Sequence, residues 1–516
     1  MRGACLDLAP SRSGRDIAAE VLMRRVPCVC AIIFFSLSMW PGSTGLVDRE
    51  SRLFPSAGLE SAAAALPAAN KSVAIVGATI IDGTGRAPIP AGVIVIQGDT
   101  IEFVGRRDDI GVPPDARVVD AAGKFIIPGM MDSNVHLVIQ RTVEFLARYE
   151  NRLEELIEEA AQVALKNGQT TVFDTWGPLQ PLLNVRDKID RGEVPGSRIF
   201  IAGNCIGMSG PLGVDMNAEG GKTASAAFVK RINSIWEENV GPDLAYMTPD
   251  QVRSEVRKYV SRGMDFLKYA SSGHTQPRLI VFSEEAQKAI VEEGHRAGLT
   301  VQAHTTSNES LRLAIGAGVD LVTHADDTGP MAVSETNLAI LKDRRIPCGI
   351  IPKTTRRWEL EIGRNPGTPG APADPRMLKF RRSNQLLLIE AGVPLLLNTD
   401  GGLWHRDHLA QFPSEHWLDF GAVIGEGYLR SCRAMVDSGV SPMDVILSGT
   451  RNIAAAYKKL GELGTLESGK LADLVILDGD PLADIGNVRK IHAVMKDGQI
   501  VDREKLPLKK ILYPGF

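Results

Sequence analysis

Residues 128–136 of this chain read Pro-Gly-Met-Met-Asp-Ser-Asn-Val-His, directly after an apolar run at 125–127. In an extended strand, residues two apart point to the same face. Asn134 and His136 therefore direct an amide oxygen and a ring nitrogen at one point. Two such donors at the end of a strand can hold a metal, although a buried strand with a hydrogen-bonded histidine explains this stretch equally well by itself.

Four later apolar segments share one feature, because each ends in a polar side chain that can bind a metal. They are the stretches 265–268, 299–304, 319–324 and 393–400, which end in Lys268, His304, His324 and Asp400. A single histidine at the end of a strand is more often structural. Six candidate ligands at six such positions are far harder to obtain by chance, so the set indicates one shared metal site.

The sequence between these segments has helical patterns. Residues 283–297 open with an N-capping serine and two acids of the first turn, and they close near Gly298; residues 307–318 repeat this scheme. Strands that alternate with helices at this spacing predict parallel βα units. A (β/α)8 barrel carries its chemistry at the carboxyl ends of its strands. The sequence therefore predicts an α/β fold with a TIM-like barrel.

Composition is typical of a large globular chain. It has 516 residues, of which 44% are hydrophobic, enough for a barrel and a smaller companion. A formal net charge of −4 and the lack of a basic run argue against a nucleic-acid partner. No stretch resembles a membrane span of about 20 apolar residues, so no stable span is expected in the mature protein. Cys205, Cys348 and Cys432 are far apart and are predicted to be isolated thiols.

Residues 1–48 have the pattern of a secretory signal peptide or a similar extension. Met23 and two arginines precede an apolar stretch at 26–40, which small and turn-forming residues follow. Met23 is therefore a candidate start, and the protein is predicted to be periplasmic or secreted. The alternatives are an uncleaved membrane anchor and a cytoplasmic protein with a mistranslated upstream frame. Residues 49–71, rich in Ala, Ser and Pro, are predicted to be a linker.

Several framing motifs, together with the order of the candidate ligands, resemble the amidohydrolase superfamily of metal-dependent hydrolases. The motifs are the strand-like segment 77–83, the segment 122–129 that leads into the first barrel strand, and the returning segment 464–475. The resemblance runs from about Ser72 to about Asp502. It is specific, because several separate motifs fall in the right order.

The resemblance implies a small β-sandwich beside the barrel, built from both flanking segments. Residues 72–130 and 461–510 would form the sandwich, and residues 131–460 would form the barrel. Each flanking segment contains short apolar strands separated by polar turns such as Gly98-Asp99 and Asp497-Gly498. Neither segment could easily bury its apolar face without the other.

The resemblance also implies one or two divalent metal ions at the strand ends. The family's ligand positions are matched by Asn134, His136, Lys268, His304, His324 and Asp400. A protonated lysine has no lone pair for a metal, but in this family such a lysine is usually carboxylated by CO₂, and Lys268 matches that position. Zinc is the first expectation, with cobalt or manganese as alternatives. The family mechanism is attack by metal-activated hydroxide, with Asp400 as the catalytic base.

One position departs from the common family pattern. Most members with these motifs begin with His-X-His, whereas this chain has Asn134-Val135-His136. An Asn-X-His version is a feature of phenylurea hydrolases and of molinate (thiocarbamate) hydrolase, which cut urea-type or thiocarbamate bonds in small compounds. A neutral amide oxygen in place of a ring nitrogen predicts weaker occupancy of that metal position. The alternative is that Asn134 points elsewhere.

The leading hypothesis is a metal-dependent hydrolase that cuts C–N bonds of amide, urea or carbamate type in a small molecule, with phenylurea, carbamate or anilide-like compounds first. One alternative keeps the fold and changes the substrate to a dipeptide or an N-acyl amino acid. A cation placed to hold a carboxylate would favour it, and the candidates are Arg278, Arg356, Arg357 and Arg406. Another alternative is a non-catalytic relative that serves in binding.

Candidates for substrate contact follow the ends of two predicted strands. His274 lies in the loop after Lys268, and Trp404 and His405 follow Asp400 closely. Loops after barrel strands face the active site, so these side chains are predicted to touch the substrate, although they could equally be surface residues. A small-molecule substrate and a homo-oligomer are the expected partners.

Overall fold

The structure is a computed structural model that describes residues 72–363, 374, 376–405 and 423–513. The predicted signal peptide at 1–48 and the predicted linker at 49–71 lie outside the described residues, as does Arg406. The predictions of cleavage, start site and localisation therefore stay predictions.

The described residues form strands and helices in the alternation that the sequence predicts. The strands are β1 (Val73–Ile80), β2 (Ile89–Gln97), β3 (Thr100–Arg106), β4 (Arg117–Asp120), β5 (Phe125–Pro128), β6 (Met130–His136), β7 (Gln169–Asp174), β8 (Arg198–Ile201), β9 (Cys205–Ile206), β10 (Phe266–Ala270), β11 (Thr300–His304), β12 (Leu321–Thr323), β13 (Cys348–Ile350), β14 (Leu395–Leu397), β15 (Gly401–Gly402), β16 (Leu474–Leu477), β17 (Ile491–Lys496) and β18 (Gln499–Ile500). The α-helices are α1 (Val143–Tyr149), α2 (Leu153–Lys166), α3 (Leu179–Asp190), α4 (Ala218–Thr223), α5 (Ala226–Glu237), α6 (Pro249–Val260), α7 (Glu284–Arg296), α8 (Asn308–Ala317), α9 (Glu335–Asp343), α10 (Thr355–Ile362), α11 (Arg376–Glu390), α12 (Glu426–Asp437), α13 (Pro442–Ser448) and α14 (Arg451–Ala456). Short 3-10 helices cover Arg107–Asp109, Glu150–Arg152, Pro242–Tyr246, Ile485–Arg489 and Arg503–Lys505.

The strands β6 to β15 form two parallel sheets, with helices between most successive strands. One sheet has the order β15-β6-β7-β8, and the other has the order β14-β13-β12-β11-β10-β9. Backbone hydrogen bonds join their edges: Asp265 N donates to Ile201 O at 2.8 Å, and Asp400 N donates to Asn134 O at 3.0 Å. This is an α/β architecture of the TIM-barrel type, and it brings the carboxyl ends of the strands to one side.

The two flanking segments pair with each other, as predicted. Strands β1 to β5 precede the parallel sheets and β16 to β18 follow them, and all eight form one sheet in which β16 runs antiparallel to β5. Alternate residues serve two cores: Ile126 and Ile476 face the core of the flanking sheet, whereas Ile127 and Val475 pack into the main core. The described strands of the two flanking segments form a single sheet. The predicted sandwich and its domain boundaries therefore stay predictions.

Local sequence signals explain where the helices begin and end. The Ser283 side chain accepts from Ala286 N at the start of α7, and Ser307 accepts from Ser310 N at the start of α8. Helix α8 ends at Gly318, whose φ of +90° lies in the left-handed region that favours glycine. Both helices fall within the stretches that the sequence predicts.

The described residues also bear on the predicted cysteines and on the predicted lack of a membrane span. Cys205, Cys348 and Cys432 are buried free thiols, which confirms that they form no disulfide framework. In the described part of the chain, no helix combines the length and the apolar surface needed to cross a bilayer.

An aromatic cluster fills the interior of the parallel strands below their polar ends. The ring of Tyr457 stacks on Phe173 with centroids 3.9 Å apart and meets Phe266 at 5.0 Å. Its hydroxyl donates to Ser133 O at 2.8 Å and lies 2.9 Å from Gln302 Oε1. Because Ser133 precedes Asn134 on β6, this buried hydroxyl helps to hold the strand from which two candidate ligands project.

Replacement of Tyr457 by phenylalanine tests the role of its hydroxyl in this aromatic cluster. Tyr457→Phe keeps the ring but leaves buried acceptors without their donor, so we expect the free energy of unfolding to fall by about 1–3 kcal/mol. Urea unfolding measures the change. The matched control is Tyr246→Phe, because Tyr246 is 91% exposed, and its substitution should leave stability unchanged. Equal stability of the two variants would contradict the assigned role of the Tyr457 hydroxyl.

Candidate metal centre

The six predicted ligands come together at the carboxyl ends of the parallel strands. Asn134 and His136 lie on β6, Lys268 lies on β10, and His304 ends β11. His324 directly follows β12, and Asp400 follows β14 by three residues. One cavity is lined by His136, Lys268, His304, His324 and Asp400 together with Arg141 and His274.

Two of these residues have a strained backbone. His324 has a φ of +62° and Asp400 has a φ of +52°, which are uncommon values for residues other than glycine. Hydrogen bonds hold both turns: His324 N donates to Gly349 O at 2.9 Å, and Asp400 N donates to Asn134 O at 3.0 Å. Strain of this kind clusters at functional sites, where it sets the direction of a side chain.

Asp400 is the centre of the cluster. Its Oδ1 atom accepts from Asn134 Nδ2 at 2.7 Å, lies 3.2 Å from His136 Nε2 and lies 4.0 Å from His324 Nε2. Burial would raise the pKa of this carboxyl, but the neighbouring basic side chains of His136, His324 and Lys268 hold the pKa well below its usual range. Asp400 is therefore a carboxylate that can bind a cation or accept a proton.

His136 faces Asp400 in a way that calls for a cation between them. The Nδ1 atom of His136 lies 3.2 Å from the carbonyl oxygen of Trp176, so this nitrogen carries the proton of the neutral ring. The lone pair of Nε2 then points at a carboxylate oxygen, and two acceptors face each other. A bound metal, or a proton on the ring, satisfies both atoms, and a backbone carbonyl behind a ligating histidine is the usual arrangement at metal sites.

The Asn134 amide joins Lys268 to Asp400. Its Oδ1 atom accepts from Thr175 Oγ1 and from Lys268 Nζ, the latter at 3.0 Å. Its Nδ2 atom donates to Asn398 Oδ1 at 3.0 Å and to Asp400 Oδ1 at 2.7 Å. The reverse orientation would put the amide NH₂ against an amine and the amide oxygen against a carboxylate, so electrostatics determines the orientation. In this structure the oxygen that would bind a metal faces Lys268.

Lys268 is buried, and no carboxylate of the described residues pairs with it. Its Nζ atom donates to Asn134 Oδ1 and to Thr175 Oγ1, each at 3.0 Å. Burial lowers the pKa of Lys268, an effect that Cys205 and the carboxylates of Asp400 and Asp174 partly offset. A lowered pKa increases the fraction of neutral amine, the form that can react with CO₂.

Two histidines supply neutral ring nitrogens to the other side of the cavity. His304 and His324 have ring centroids 4.8 Å apart, and among the described residues the buried Nε2 of His304 has no hydrogen-bond partner. Burial lowers the pKa of His324 to about 4 and takes that of His304 well below 6.5. A buried nitrogen left unpaired costs about 1–3 kcal/mol, which coordination to a metal would recover.

The six side chains fit a divalent cation only when they are taken together. Within the described ranges, no three His, Cys, Asp or Glu side chains lie close enough together to hold an ion by themselves. The amide oxygen of Asn134 and a carboxylated Lys268 would supply the missing oxygen donors. The chemistry of the six side chains therefore fits a metal, while the role of each as a ligand stays a prediction.

Sequence reasoning missed a second layer of polar residues. Asp174 Oδ2 accepts from Leu137 N at 2.7 Å, and burial raises the pKa of Asp174 to about 6. Thr175 contacts both Asn134 and Lys268. The strand-end signal was present but weaker than at the other ligand positions, because the strand at 169–174 is apolar only at Val172 and Phe173 before the polar residues Asp174 and Thr175.

The structure separates the predicted substrate residues. His274 lines the cavity and lies with its ring centroid 5.5 Å from that of His304. Burial and then the charge of Arg141 lower the pKa of His274 to about 3, so its ring is neutral. Trp404 and His405 follow β15, which separates them from Asp400, and they are not among the described residues that line the cavity. Contact of these two with a substrate stays a prediction.

Comparisons with known proteins agree on one family. The profile described as "Amidohydrolase family" matches residues 125–501. A solved structure of molinate hydrolase is 37% identical, with a TM-score of 0.80 over 87% of this chain and 98% of that chain. Phenylurea hydrolase B is 36% identical, with a TM-score of 0.79 over 86% and 99% of the two chains. Among curated proteins, ochratoxinase of Aspergillus niger is 24% identical over 80% of this chain and 83% of its own length.

Thr175→Val tests whether the second layer supports metal binding. The variant removes the hydroxyl that orients Asn134 and Lys268, and loss of such a supporting contact lowers metal affinity by about 10- to 100-fold. Metal content after dialysis against a graded chelator measures the effect. Thr450→Val is the matched control, because the buried Thr450 hydroxyl contacts only Ile446 O at 2.7 Å. Equal metal retention in both variants would show that Thr175 does not support the site.

Proposed function

This chain belongs to the amidohydrolase family, and from that premise we propose that it is a metal-dependent hydrolase of C–N bonds in small molecules. The scissile bond is of amide, urea or carbamate type. One observation carries the proposal: His136, Asn134 and His324 surround a single carboxylate oxygen of Asp400. The relatives support it, because molinate hydrolase and phenylurea hydrolase B are hydrolases by name and are similar over most of both chains.

The proposed metal site holds one or two divalent ions, with zinc first and cobalt or manganese as alternatives. Asn134, His136 and Asp400 would hold one ion, and His304 and His324 would hold the other. Lys268, as a CO₂-derived carbamate, would supply an anion with two oxygen donors to this site, where the free amine has none. Its burial without a carboxylate partner in the described chain supports this role.

In the proposed mechanism, the protein's own residues orient the reaction and move one proton. A bound divalent metal supplies Lewis acidity and lowers the pKa of water. Asp400 accepts a proton from the attacking water and passes it to the leaving nitrogen. The carbonyl carbon gains the water oxygen as the C–N bond breaks, and the amine leaves with the proton. The Trp176 carbonyl keeps the His136 ring in place during these steps.

The same proposal includes the finer architecture. We infer that the strands at 131–460 close into a (β/α)8 barrel, supported by the hydrogen bonds that join β8 to β10 and β6 to the segment after β14. The companion domain would comprise residues 72–130 and 461–510. Arg198 on β8 supports their attachment, because its guanidinium donates to Asp473 Oδ2 at 2.6 Å and also contacts Asp497.

Asp400→Asn tests the proposed function. The amide can still offer an oxygen to a metal but cannot accept the proton, so turnover should fall by about 100-fold or more while most of the metal remains. The assay uses metal-reconstituted protein with anilides, phenylureas, carbamates and Xaa-Pro dipeptides, and metal content is measured on the same samples. The control is Asp343→Asn at an exposed site on α9. Wild-type protein without metal and without hydrolysis would favour a non-catalytic binding protein.

Lys268→Ala tests the proposed carbamate. Loss of the amine removes the only group that CO₂ could carboxylate in the cluster, so metal content should fall. Acetate or another short carboxylic acid should partly restore it by occupying the vacated space with an anionic oxygen pair. Lys268→Arg retains the cation but cannot form the carbamate, and it should not be restored by acetate. If wild-type protein, Lys268→Ala and Lys268→Arg all retained full metal content, the role proposed for Lys268 would be contradicted.

A further inference from the structure

Arg141 brings a cation into the cavity without an ion-pair partner among the carboxylates of the described residues. It lies in the loop that follows β6 and lines the cavity together with His136 and Asp400. No carboxylate among the described residues lies within ion-pair distance of its guanidinium, and its side-chain contact is Nη1 to Met216 Sδ at 3.0 Å. A thioether is a weak acceptor, so most of the five guanidinium donors lack a strong partner.

The position of Arg141 is held by the segment that contains Met216 and Asn217. Its backbone carbonyl accepts from Asn217 Nδ2 at 2.7 Å, and the Asn217 side chain in turn caps α4 by accepting from Gly220 N at 2.9 Å. Met216 precedes Asn217 and contacts the guanidinium. One short segment thus fixes both ends of the residue, and the ordering cost of a binding arginine is reduced before a ligand arrives.

Two other arginines that are largely buried, Arg381 and Arg357, have their anions within the protein. Arg381 lies 2.8 Å from Asp326 Oδ2 and 3.5 Å from Asp327 Oδ2. Arg357 lies 2.5 Å from Glu361 Oε1. Arg141 differs from both, because it has no such ion pair among the described residues. Burial lowers the pKa of its guanidinium, and the charge of Asp400 partly offsets this effect. Burial of a charge is costly unless an anion compensates it.

We propose that Arg141 binds a carboxylate of the substrate, so that the natural substrate is an anionic amide such as an N-acyl amino acid or a dipeptide. The planar guanidinium fork matches a carboxylate in two parallel hydrogen bonds. The inference rests on the proposed function, whose reaction it restricts to one class. It favours the anionic substrates over the neutral phenylureas and anilides that the sequence puts first. Of the arginines considered from sequence, Arg278, Arg356 and Arg357 are not among the residues that line the cavity, and Arg406 lies outside the described residues.

Matched chromogenic substrates test the proposal with metal-reconstituted full-length protein. The 4-nitroanilide of succinate carries a carboxylate on the acyl side, and the 4-nitroanilide of pentanoate is its neutral counterpart. N-benzoylglycine and N-propylbenzamide form a second pair with the carboxylate on the amine side. For at least one pair we expect kcat/KM to be roughly tenfold or more higher for the anion, the usual effect of a charged hydrogen bond.

Variants of Arg141 assign that preference to the guanidinium. Arg141→Gln should lose most of the advantage of the anionic substrate while kcat/KM for the neutral partner changes less than about threefold, and Arg141→Lys should keep part of it because a point charge remains. The control is Arg344→Gln, an exposed arginine after α9, which should change neither value. An equal loss on both members of a pair, or no preference in the wild type, would overturn the proposal.

A binding measurement separates this inference from the proposed function. Calorimetry with succinate and with benzoate as probes should show weaker binding to Arg141→Gln than to wild-type protein, without any turnover. If no amide or urea is hydrolysed but this difference appears, the proposed function fails and the carboxylate site stands. If neutral substrates are hydrolysed and both proteins bind the probes equally, the function stands and the carboxylate site fails.

Discussion

One neutral amide separates the buried Lys268 amine from the partly exposed Asp400 carboxylate, and the arrangement of the site depends on it. The Asn134 side chain donates to the Asp400 carboxylate and accepts from the Lys268 amine. Charged groups in an apolar interior are costly unless each has a partner. Thr175 completes the contacts of Lys268, and His136 meets the same carboxylate oxygen that Asn134 does. The positions of these side chains therefore follow from the need to satisfy Asp400 and Lys268 in a dry interior.

The packing below the site makes this arrangement rigid. The rings of Phe173, Phe266 and Tyr457 fill the interior of the strands, and the Tyr457 hydroxyl reaches the backbone of β6 just before Asn134. A close-packed floor resists small movements of the strands. It also allows the left-handed backbone at His324 and Asp400 to persist, because strained turns survive only where the surrounding structure overdetermines them. A metal would therefore meet donors whose directions are set in advance.

The cavity has two walls of different chemistry. One wall consists of the candidate ligands at the strand ends. The other combines Ile139, Trp176, Met208 and Met216 with the single guanidinium of Arg141. An apolar body, a carboxylate and a carbonyl next to the ligands would complement all of these groups at once. The candidate ligands are thus the part of the site that this chain shares with its family. The opposite wall is the part of the cavity that would determine which substrate this chain binds.

Sequence by itself determined the alternation of strands and helices, the helix starts at Ser283 and Ser307, the pairing of the flanking segments and the six polar strand ends. These features depend on local periodicity, on capping side chains and on short motifs. All three can be recognised without knowing which distant residues are in contact. Thr175 and Asp174 followed the same strand-end pattern and were open to the same reasoning. Only the tertiary structure decided that Asn134 turns its oxygen to Lys268 and that Asp400 collects the other donors across 266 residues of chain. It also decided that Arg141 lines the cavity without an ion-pair partner in the part of the chain that the structure describes. Those outcomes depend on which segments meet in space, and contacts between residues so far apart leave no periodic trace in the sequence.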